Sequence, residues 1–241
     1  MTAPSRRWWR VAEPVHRLLL KPSVRQSTPF RVAQQLLQPQ PQEDILTKAV
    51  AFASSCRIKG DYLEFGVYTG TSFCTAFHLA QAVGLDEMRF YAFDSFEGMP
   101  DDTEPGGSVH HDPGGFYCDR AQFENIIRDN GVDPTLVEIV AGWYDDVLND
   151  ELHEKLSLEK AAIVSADCGL YGSTSRVLRW VTDYVQDGTI LIFGDWFSFR
   201  GSPQRGQQRA FAEWLEATPQ ITASAFHTFG WHGSSFILHR G

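Results

Sequence analysis

The feature that most constrains the fold is the alternation of short apolar segments with longer amphipathic ones. The segments AAIVSA (161–166) and TILIF (189–193) are continuously hydrophobic, as strands covered on both faces of a sheet are. Between such segments lie stretches of about 10–15 residues with helical periodicity, and crossover helices of that length join parallel strands. We therefore predict an α/β fold with a mostly parallel seven-stranded sheet and helices on both faces.

The predicted elements run from residue 43 to residue 239. Strands are expected at 61–67, 89–93, 136–141, 161–166 and 189–193, with two short strands within 226–239. Helices are expected at 43–56, 71–83, 120–130, 145–156, 173–185 and 205–217. Only a Gly-rich turn at 230–233 separates the last two strands, so we predict that an antiparallel C-terminal hairpin closes the sheet.

A basic N-terminal arm, residues 1–42, precedes this domain, residues 43–241. The arm is rich in Pro and Gln and carries seven basic side chains against one acidic side chain. Its net charge of +6 contrasts with −15 for the rest of the 241-residue chain. We predict that the arm docks on the acidic body of its own or a neighbouring subunit, in a homo-oligomer such as a dimer, or closes over an acidic cleft.

Charge, hydropathy and cysteine usage exclude several classes of partner. The net charge of −9 argues against nucleic acid, because phosphate binding requires a basic surface. The apolar runs fall well short of the roughly 18–20 residues that span a bilayer, and charged residues interrupt the region where a secretory signal would stand. The four cysteines form no C-x-x-C pair, which is typical of free thiols in a reducing compartment. We therefore expect a cytoplasmic protein without a membrane partner.

Two strand ends indicate a cofactor. The first predicted strand runs into the turn EFGVYTGTS at residues 64–72, whose glycines allow a ligand to approach the backbone. The N-terminus of the helix that follows attracts a carboxylate or a phosphate. The second strand ends at Asp94, which is placed to accept hydrogen bonds from ribose hydroxyls. Each feature alone also suits a tight turn or a cap, but together they predict a nucleoside-bearing cofactor without specifying which one.

Two further acids, Asp167 and Asp195, follow the fourth and fifth predicted strands. They should face one crevice, because the carboxyl ends of parallel strands meet at one edge of a sheet. They suit a shared hard cation, a general base for a substrate hydroxyl, or capping of the helices that follow. The loop 94–117 is long enough to form a lid, and His110 or His111 within it is a candidate base or metal ligand.

Four segments resemble the TylF/MycF family of class I S-adenosylmethionine-dependent O-methyltransferases, which act on sugar hydroxyls of macrolide-type natural products. They are DYLEFGVYTGTS (61–72), YAFDSFEGMP (91–100), the Gly142–Trp143 turn and DCGLYGST (167–174). The similarity extends over residues 43–240, and FDSFEGMP is its most specific part. It implies a Rossmann-like class I methyltransferase fold, S-adenosylmethionine as cofactor, and a sugar or glycosylated natural product as the small-molecule acceptor.

The resemblance also implies a role for each matching residue. The cofactor-binding set would be Glu64, Gly66, Tyr68 and Gly70 in the turn, Thr71 and Ser72 at the methionine carboxylate, Asp94 at the ribose, Ser95 and Phe96 beside the adenine, and Gly142 and Trp143 in the adenine pocket. From its position after the fourth strand, and not from the resemblance, we expect Asp167 to orient or deprotonate the acceptor, with His111 of the long loop as the alternative base.

Two positions depart from the family pattern. That pattern has Asp-x-Asp-Leu-Tyr after the fourth strand, where Gly169 replaces the second acid, and Asp-Asp-Tyr after the fifth, where Gly194 replaces the first. The magnesium ion of the family would therefore depend on Asp167 and Asp195 alone, and we expect its affinity to be weak.

Three functions are weighed against these features. The first is an S-adenosylmethionine-dependent O-methyltransferase. The second is a catalytically weakened relative that binds the cofactor or a partner without methyl transfer, which the two glycines favour. The third is a nicotinamide-dependent oxidoreductase, and the absence of G-x-G-x-x-G and of a Tyr-x-x-x-Lys pair argues against it.

Overall fold

The computed structural model describes residues 41–101 and 113–241, and they form the predicted seven-stranded sheet. The strands are β1 (Asp61–Phe65), β2 (Phe90–Asp94), β3 (Val137–Ala141), β4 (Ala161–Ala166), β5 (Val185–Phe193), β6 (Ile221–Phe229) and β7 (Gly233–Arg240). Their order is β3-β2-β1-β4-β5-β7-β6; the first five are parallel, and β7 pairs antiparallel with both β5 and β6. The strand order reverses between β1 and β4: β2 and β3 are added on one side of β1, and β4 and β5 on the other. Open α/β sheets bind ligands at such a switch point.

Seven helices of the described chain accompany the sheet. They are α1 (Pro41–Cys56), α2 (Thr71–Ala82), α3 (Arg120–Asp129), α4 (Tyr144–Val147), α5 (Asp150–Lys155), α6 (Tyr171–Val181) and α7 (Gly206–Ala217). Two 3-10 turns, Pro134–Leu136 and Thr182–Tyr184, lead into β3 and β5.

Alternate residues of the strands supply two hydrophobic cores on the two faces of the sheet. Leu63 and Phe65 of β1 belong to a core that contains residues of α5, α6 and α7. Tyr62, which precedes Leu63 and points to the other face, belongs to a core with residues of α1, α2 and α3. Because successive side chains of a strand point to opposite faces, one short apolar strand anchors helices on both sides. Burying each large apolar side chain stabilises the fold by roughly 1.5–3 kcal/mol.

The structure corrects some predicted boundaries. The segment 145–156 is two short helices rather than one, because the side chain of Asn149 accepts a hydrogen bond from Leu152 N–H and starts α5 anew. The fifth strand was expected to begin at residue 189, after a helix ending at 185, but β5 already begins at Val185. The hairpin strands β6 and β7 have nine and eight residues and are longer than the short strands predicted.

Residues 41–241 form one compact unit. The predictions for the arm, apart from its last two residues, and for His110 and His111 of the lid lie outside the described residues. Within the described part of the chain, no helix is both long and apolar enough to cross a membrane.

Candidate functional site

The carboxyl ends of the parallel strands form one edge that gathers most of the predicted site. The residues after β1, β3, β4 and β5 continue the sheet by one backbone hydrogen bond each, of 2.8–3.3 Å, donated by Gly66, Gly142, Asp167 and Gly194. The glycine turn, Asp94, the Gly142–Trp143 turn and both strand-end acids therefore lie along this edge, although they are far apart in the sequence.

Gly66 and Gly70 shape the turn between β1 and α2 for different steric reasons. Gly66 has φ of +88°, and a Cβ there would overlap the carbonyl oxygen of Asp167. Gly70 has φ of +75°, and a Cβ there would lie 2.8 Å from Cε2 of Phe123. Both the left-handed backbone and the close packing require glycine, so the turn presents bare backbone to the edge of the sheet.

Asp94 joins the turn after β1 to the loop after β2. Its Oδ2 accepts hydrogen bonds from Val67 N–H at 2.8 Å and Tyr68 N–H at 3.2 Å, and its Oδ1 accepts one from Phe96 N–H at 2.9 Å. A carboxylate offers about four acceptor positions, so three backbone bonds leave capacity for a ligand hydroxyl. Sequence analysis assigned Asp94 to a ribose and missed that it also fixes the turn.

Ser95 and Phe96 stabilise the loop that follows Asp94. The Ser95 hydroxyl donates to Gly98 O and accepts from Glu97 N–H, both at 3.1 Å. Phe96 is buried with φ of +58°, and its ring packs against Phe123 at a centroid distance of 5.6 Å. Their predicted contact with an adenine stays a prediction.

Glu64 lies fully buried beneath the turn rather than on its surface. Its carboxyl accepts hydrogen bonds from Tyr62 Oη at 2.5 Å and from the Ser72 hydroxyl. Burial raises the pKa of Glu64 to about 8; the hydrogen bonds from Ser72 and Tyr62 act in the opposite direction, and the charges of Asp167 and Asp94 add to the rise. Glu64 is therefore mostly protonated at neutral pH and acts on the site through Ser72.

The N-terminus of α2 offers backbone donors. Its N-cap residue is Gly70, and no described side chain caps it. The hydroxyl of Ser72 is directed to Glu64, whereas Thr71 is exposed. The first N–H groups of a helix carry partial positive charge, so this end of α2 suits an anion.

The Gly142–Trp143 turn follows β3 beside Asp94. Gly142 has φ of +140°, and a Cβ there would lie 2.6 Å from Cγ1 of Val147. Trp143 is half-buried and stands at the N-cap of α4. Gly142 N–H donates a 2.9 Å hydrogen bond to Asp94 O, so this turn lies beside Asp94, and its predicted contact with an adenine stays a prediction.

An exposed aromatic pair lies at the outer side of the turn. Tyr68 is 44% exposed and Phe116 is 55% exposed, and their rings contact edge to face at 5.6 Å. Both have left-handed backbone, with φ of +45° and +54°, a conformation that is costly for residues other than glycine.

Asp167, directly after β4, lies across the backbone of Gly194 at the end of β5. A Cβ at Gly194 would lie 2.6 Å from Cγ of Asp167 and would overlap its carboxylate. The other carboxylate oxygen, Oδ2, accepts a hydrogen bond of 2.6 Å from the side-chain amide of Gln42, in the first turn of α1. Asp167 is half-buried, so its carboxylate can meet a bound molecule at the sheet edge.

Asp195, directly after Gly194, makes hydrogen bonds to the segment that follows β5 and to α7. Its Oδ1 accepts from the Ser198 hydroxyl at 2.7 Å, and its backbone N–H donates to Gln207 Oε1 at 2.8 Å. His232, from the β6–β7 turn, makes a 2.5 Å hydrogen bond through Nδ1 to Gly194 O. A carbonyl only accepts, so Nδ1 carries the proton and Nε2 is the basic nitrogen of the neutral ring.

A family model described as macrocin O-methyltransferase (TylF) matches residues 39–222. The chain belongs to this family. The match covers the glycine turn, Asp94, the Gly142–Trp143 turn, Asp167 and Asp195, and ends at the start of β6.

Sequence identity between the TylF-family chain and individual relatives is low. It is 28% identical over 152 residues to 8-demethyl-8-(2,3-dimethoxy-α-L-rhamnosyl)-tetracenomycin-C 4′-O-methyltransferase of Streptomyces olivaceus, covering 58% of this chain and 54% of the relative. The chain thus spans about half the length of that relative. The O-methyltransferase NovP superposes with a TM-score of 0.69 at 20% identity over 83% of this chain and 80% of NovP. The calicheamicin methyltransferase CalS11 superposes with a TM-score of 0.64 at 20% identity over 98% and 94%. At such identities the two structures show a shared fold.

The strand-end acids of this TylF-family chain are engaged by protein groups. Asp167 lies over Gly194 and accepts from Gln42, and Asp195 accepts from Ser198. In residues 41–101 and 113–241, no three His, Cys, Asp or Glu side chains come together as they would around a metal ion. With Gly169 and Gly194 in place of acids, a magnesium ion would depend on Asp167 and Asp195 alone, and its weak binding stays a prediction.

Proposed function

We propose that the chain is an S-adenosylmethionine-dependent O-methyltransferase whose acceptor is a hydroxyl of a small molecule, namely a sugar or a glycosylated natural product. The observation that carries the proposal is the edge where the bare glycine turn, the uncapped N-terminus of α2 and Asp94 lie together. Membership of the TylF family supports the same reaction.

The residues at this edge fit the chemical groups of the cofactor. The N–H groups at the start of α2 suit its carboxylate, with Thr71 exposed beside them. The remaining acceptor capacity of Asp94 suits the ribose hydroxyls, and the Gly142–Trp143 turn suits the adenine. When bound, S-adenosylmethionine supplies an electrophilic methyl group on a sulfonium.

Asp167 is the residue best placed to act on the acceptor. Its carboxylate lies between the turn after β1 and the end of β5, so it can hold an acceptor hydroxyl and take its proton as the oxygen forms a bond to the methyl carbon. His111 remains the alternative base, outside the described residues.

The relative from S. olivaceus supports the acceptor class. Its name specifies 4′-O-methylation of a tetracenomycin C that carries a dimethoxy-rhamnosyl group. We propose the same class for this chain, a hydroxyl on a deoxysugar, free or attached to an aglycone. The exposed Tyr68–Phe116 pair beside the turn gives an aromatic aglycone a surface on which to stack.

Calorimetric titration of the full chain with S-adenosylhomocysteine tests the cofactor, with NAD as the control ligand. We expect binding of S-adenosylhomocysteine and none of NAD. Methyl transfer is then measured with radiolabelled S-adenosylmethionine and a panel of rhamnosylated and non-glycosylated aromatic polyketides. Cofactor binding without transfer to any hydroxyl compound, in a protein whose Asp167→Asn variant behaves identically, would favour the weakened relative instead.

A further inference from the structure

We infer that Gln42 is a positioning residue for Asp167: its amide holds the carboxylate in the space left by the missing side chain of Gly194. The inference rests on the proposed role of Asp167 toward the acceptor. Gln42 lies 125 residues from Asp167 in the sequence, at the end of the predicted arm, and no sequence motif includes it.

The first step of the argument is steric. A Cβ at residue 194 would lie 2.6 Å from Asp167 Cγ, which is closer than non-bonded carbon atoms approach. The observed orientation of Asp167 is therefore available only because residue 194 is glycine. Gly194 lacks a positive φ, so its backbone conformation does not demand glycine, and the space taken by Asp167 does.

The second step concerns the direction of the carboxylate. Once Asp167 lies over Gly194, the Gln42 amide donates to Oδ2 at 2.6 Å. Gln42 stands in the first turn of α1, a 16-residue helix whose side chains Ile45 and Leu46 are buried in the core below the sheet edge. The donor is thus carried by a rigid element, and its hydrogen bond fixes which lone pairs of Asp167 face the edge.

Carboxyl 13C NMR titration of protein labelled at aspartate Cγ tests the inference directly, with Asp167→Asn used to assign the signal. In Gln42→Leu the lost hydrogen bond should raise the pKa of Asp167 by about one to two units. Gln42→Glu should raise it further, because two carboxylates then share one site. Thr47→Ala, an exposed position one turn further along α1, is the matched control and should leave it unchanged.

A second variant, Gly194→Ala, tests the same contact without changing Gln42. The added methyl group should displace Asp167 from the Gln42 amide and raise the pKa of Asp167 as Gln42→Leu does. An unchanged Asp167 pKa in a folded Gln42→Leu protein would overturn the inference, as would equal shifts in Gln42→Leu and Thr47→Ala. If the shifts occur as expected but the wild-type chain methylates no hydroxyl compound, the contact stands and the proposed function fails.

Discussion

The hydroxyl of Tyr62 donates a 2.5 Å hydrogen bond to the carboxyl of Glu64, and both side chains are fully buried in β1. The residues are two apart in one strand, so they point to the same face, beneath the turn that we propose binds the cofactor. Burial raises the pKa of Glu64 to about 8 and holds the pKa of Tyr62 well above its usual range. The site thus rests on a buried acid that is neutral at physiological pH.

Glu64 should make the stability of the protein depend on pH. Its pKa is about 8 in the folded state against an ordinary value of 4.5 for glutamate, so the folded state holds a proton on Glu64 between these pH values and the unfolded state does not. The free energy of unfolding should therefore fall as pH rises from about 4.5 to about 8, by an amount on the order of a few kcal/mol. Urea denaturation at pH 5.5 and pH 8.5 measures the change. Glu64→Gln should lose most of this dependence; an equal pH slope in both proteins would contradict the buried-acid interpretation.

Asp94 should control both cofactor affinity and the order of the turn. Asp94→Ala removes acceptors for Val67, Tyr68 and Phe96 and for a ribose hydroxyl, so affinity for S-adenosylhomocysteine should fall at least roughly tenfold. Asp94→Asn keeps one acceptor oxygen and should lose less. Calorimetry gives the affinities, and amide hydrogen exchange at Val67 and Tyr68 reports the turn. If the Val67 and Tyr68 amides of Asp94→Ala still exchange slowly and the variant binds S-adenosylhomocysteine with full affinity, Asp94 neither orders the turn nor binds the cofactor.

Gly66 and Gly84 provide a matched pair of glycine substitutions. Both have left-handed backbone, but a Cβ at Gly66 would overlap Asp167 O, whereas a Cβ at Gly84 meets nothing within 4 Å. Gly84→Ala should cost about 1 kcal/mol, from conformation alone, and leave binding of S-adenosylhomocysteine intact. Gly66→Ala should be clearly more destabilising and should abolish binding. Thermal melts and calorimetry compare them, and equal losses in the two variants would show that close packing at Gly66 is unimportant.

Magnesium should have little effect on this protein. The strand-end residues lack two of the acids in the family pattern, so Asp167 and Asp195 alone would hold the ion. Dialysis against EDTA should change the methyl-transfer rate less than twofold, because two carboxylates bind the ion more weakly than the full set of acids would. The rate is measured before dialysis, after it and after magnesium is restored. Strict magnesium dependence would show that Asp167 and Asp195 suffice.

The N-terminal arm should affect assembly or acceptor binding rather than cofactor binding. Residues 1–42 carry a net charge of +6 and residues 43–241 a net charge of −15. This difference favours docking of the arm on the body of the same or a neighbouring subunit. Deletion of residues 1–40, which retains Gln42, should lower either the oligomer mass by light scattering or the acceptor affinity. Affinity for S-adenosylhomocysteine should stay within about twofold. If neither mass nor acceptor affinity changes, the arm has no docking role.

Local sequence patterns predicted most of the fold. The apolar strands ending at Ala166 and Phe193 are buried as their continuous hydrophobicity indicated, and the Gly-rich turn near Gly230 does form the antiparallel hairpin. The helix predicted over 145–156 failed because Asn149 caps a new helix, a local competition that hydrophobic periodicity does not report.

The candidate site was predicted in part. The glycine turn and Asp94 carried a readable signal, since their residue types follow from backbone conformation and from strand ends. No sequence signal indicated that Glu64 is buried beneath the turn or that Asp94 accepts three backbone hydrogen bonds. These contacts arise only when loops from neighbouring strands meet.

The sequence by itself determined that the sheet is mostly parallel and which residues lie at the carboxyl ends of its strands, the edge where we propose that the cofactor binds. Periodicity and strand ends are local properties of the chain. Tertiary structure alone decided how Asp167 is used. Gly194 and Gln42 lie 27 and 125 residues from it, and the space at one and the amide of the other act on the same carboxylate only after β4, β5 and α1 have packed. Contacts between elements distant in sequence depend on packing in three dimensions, which no local pattern encodes.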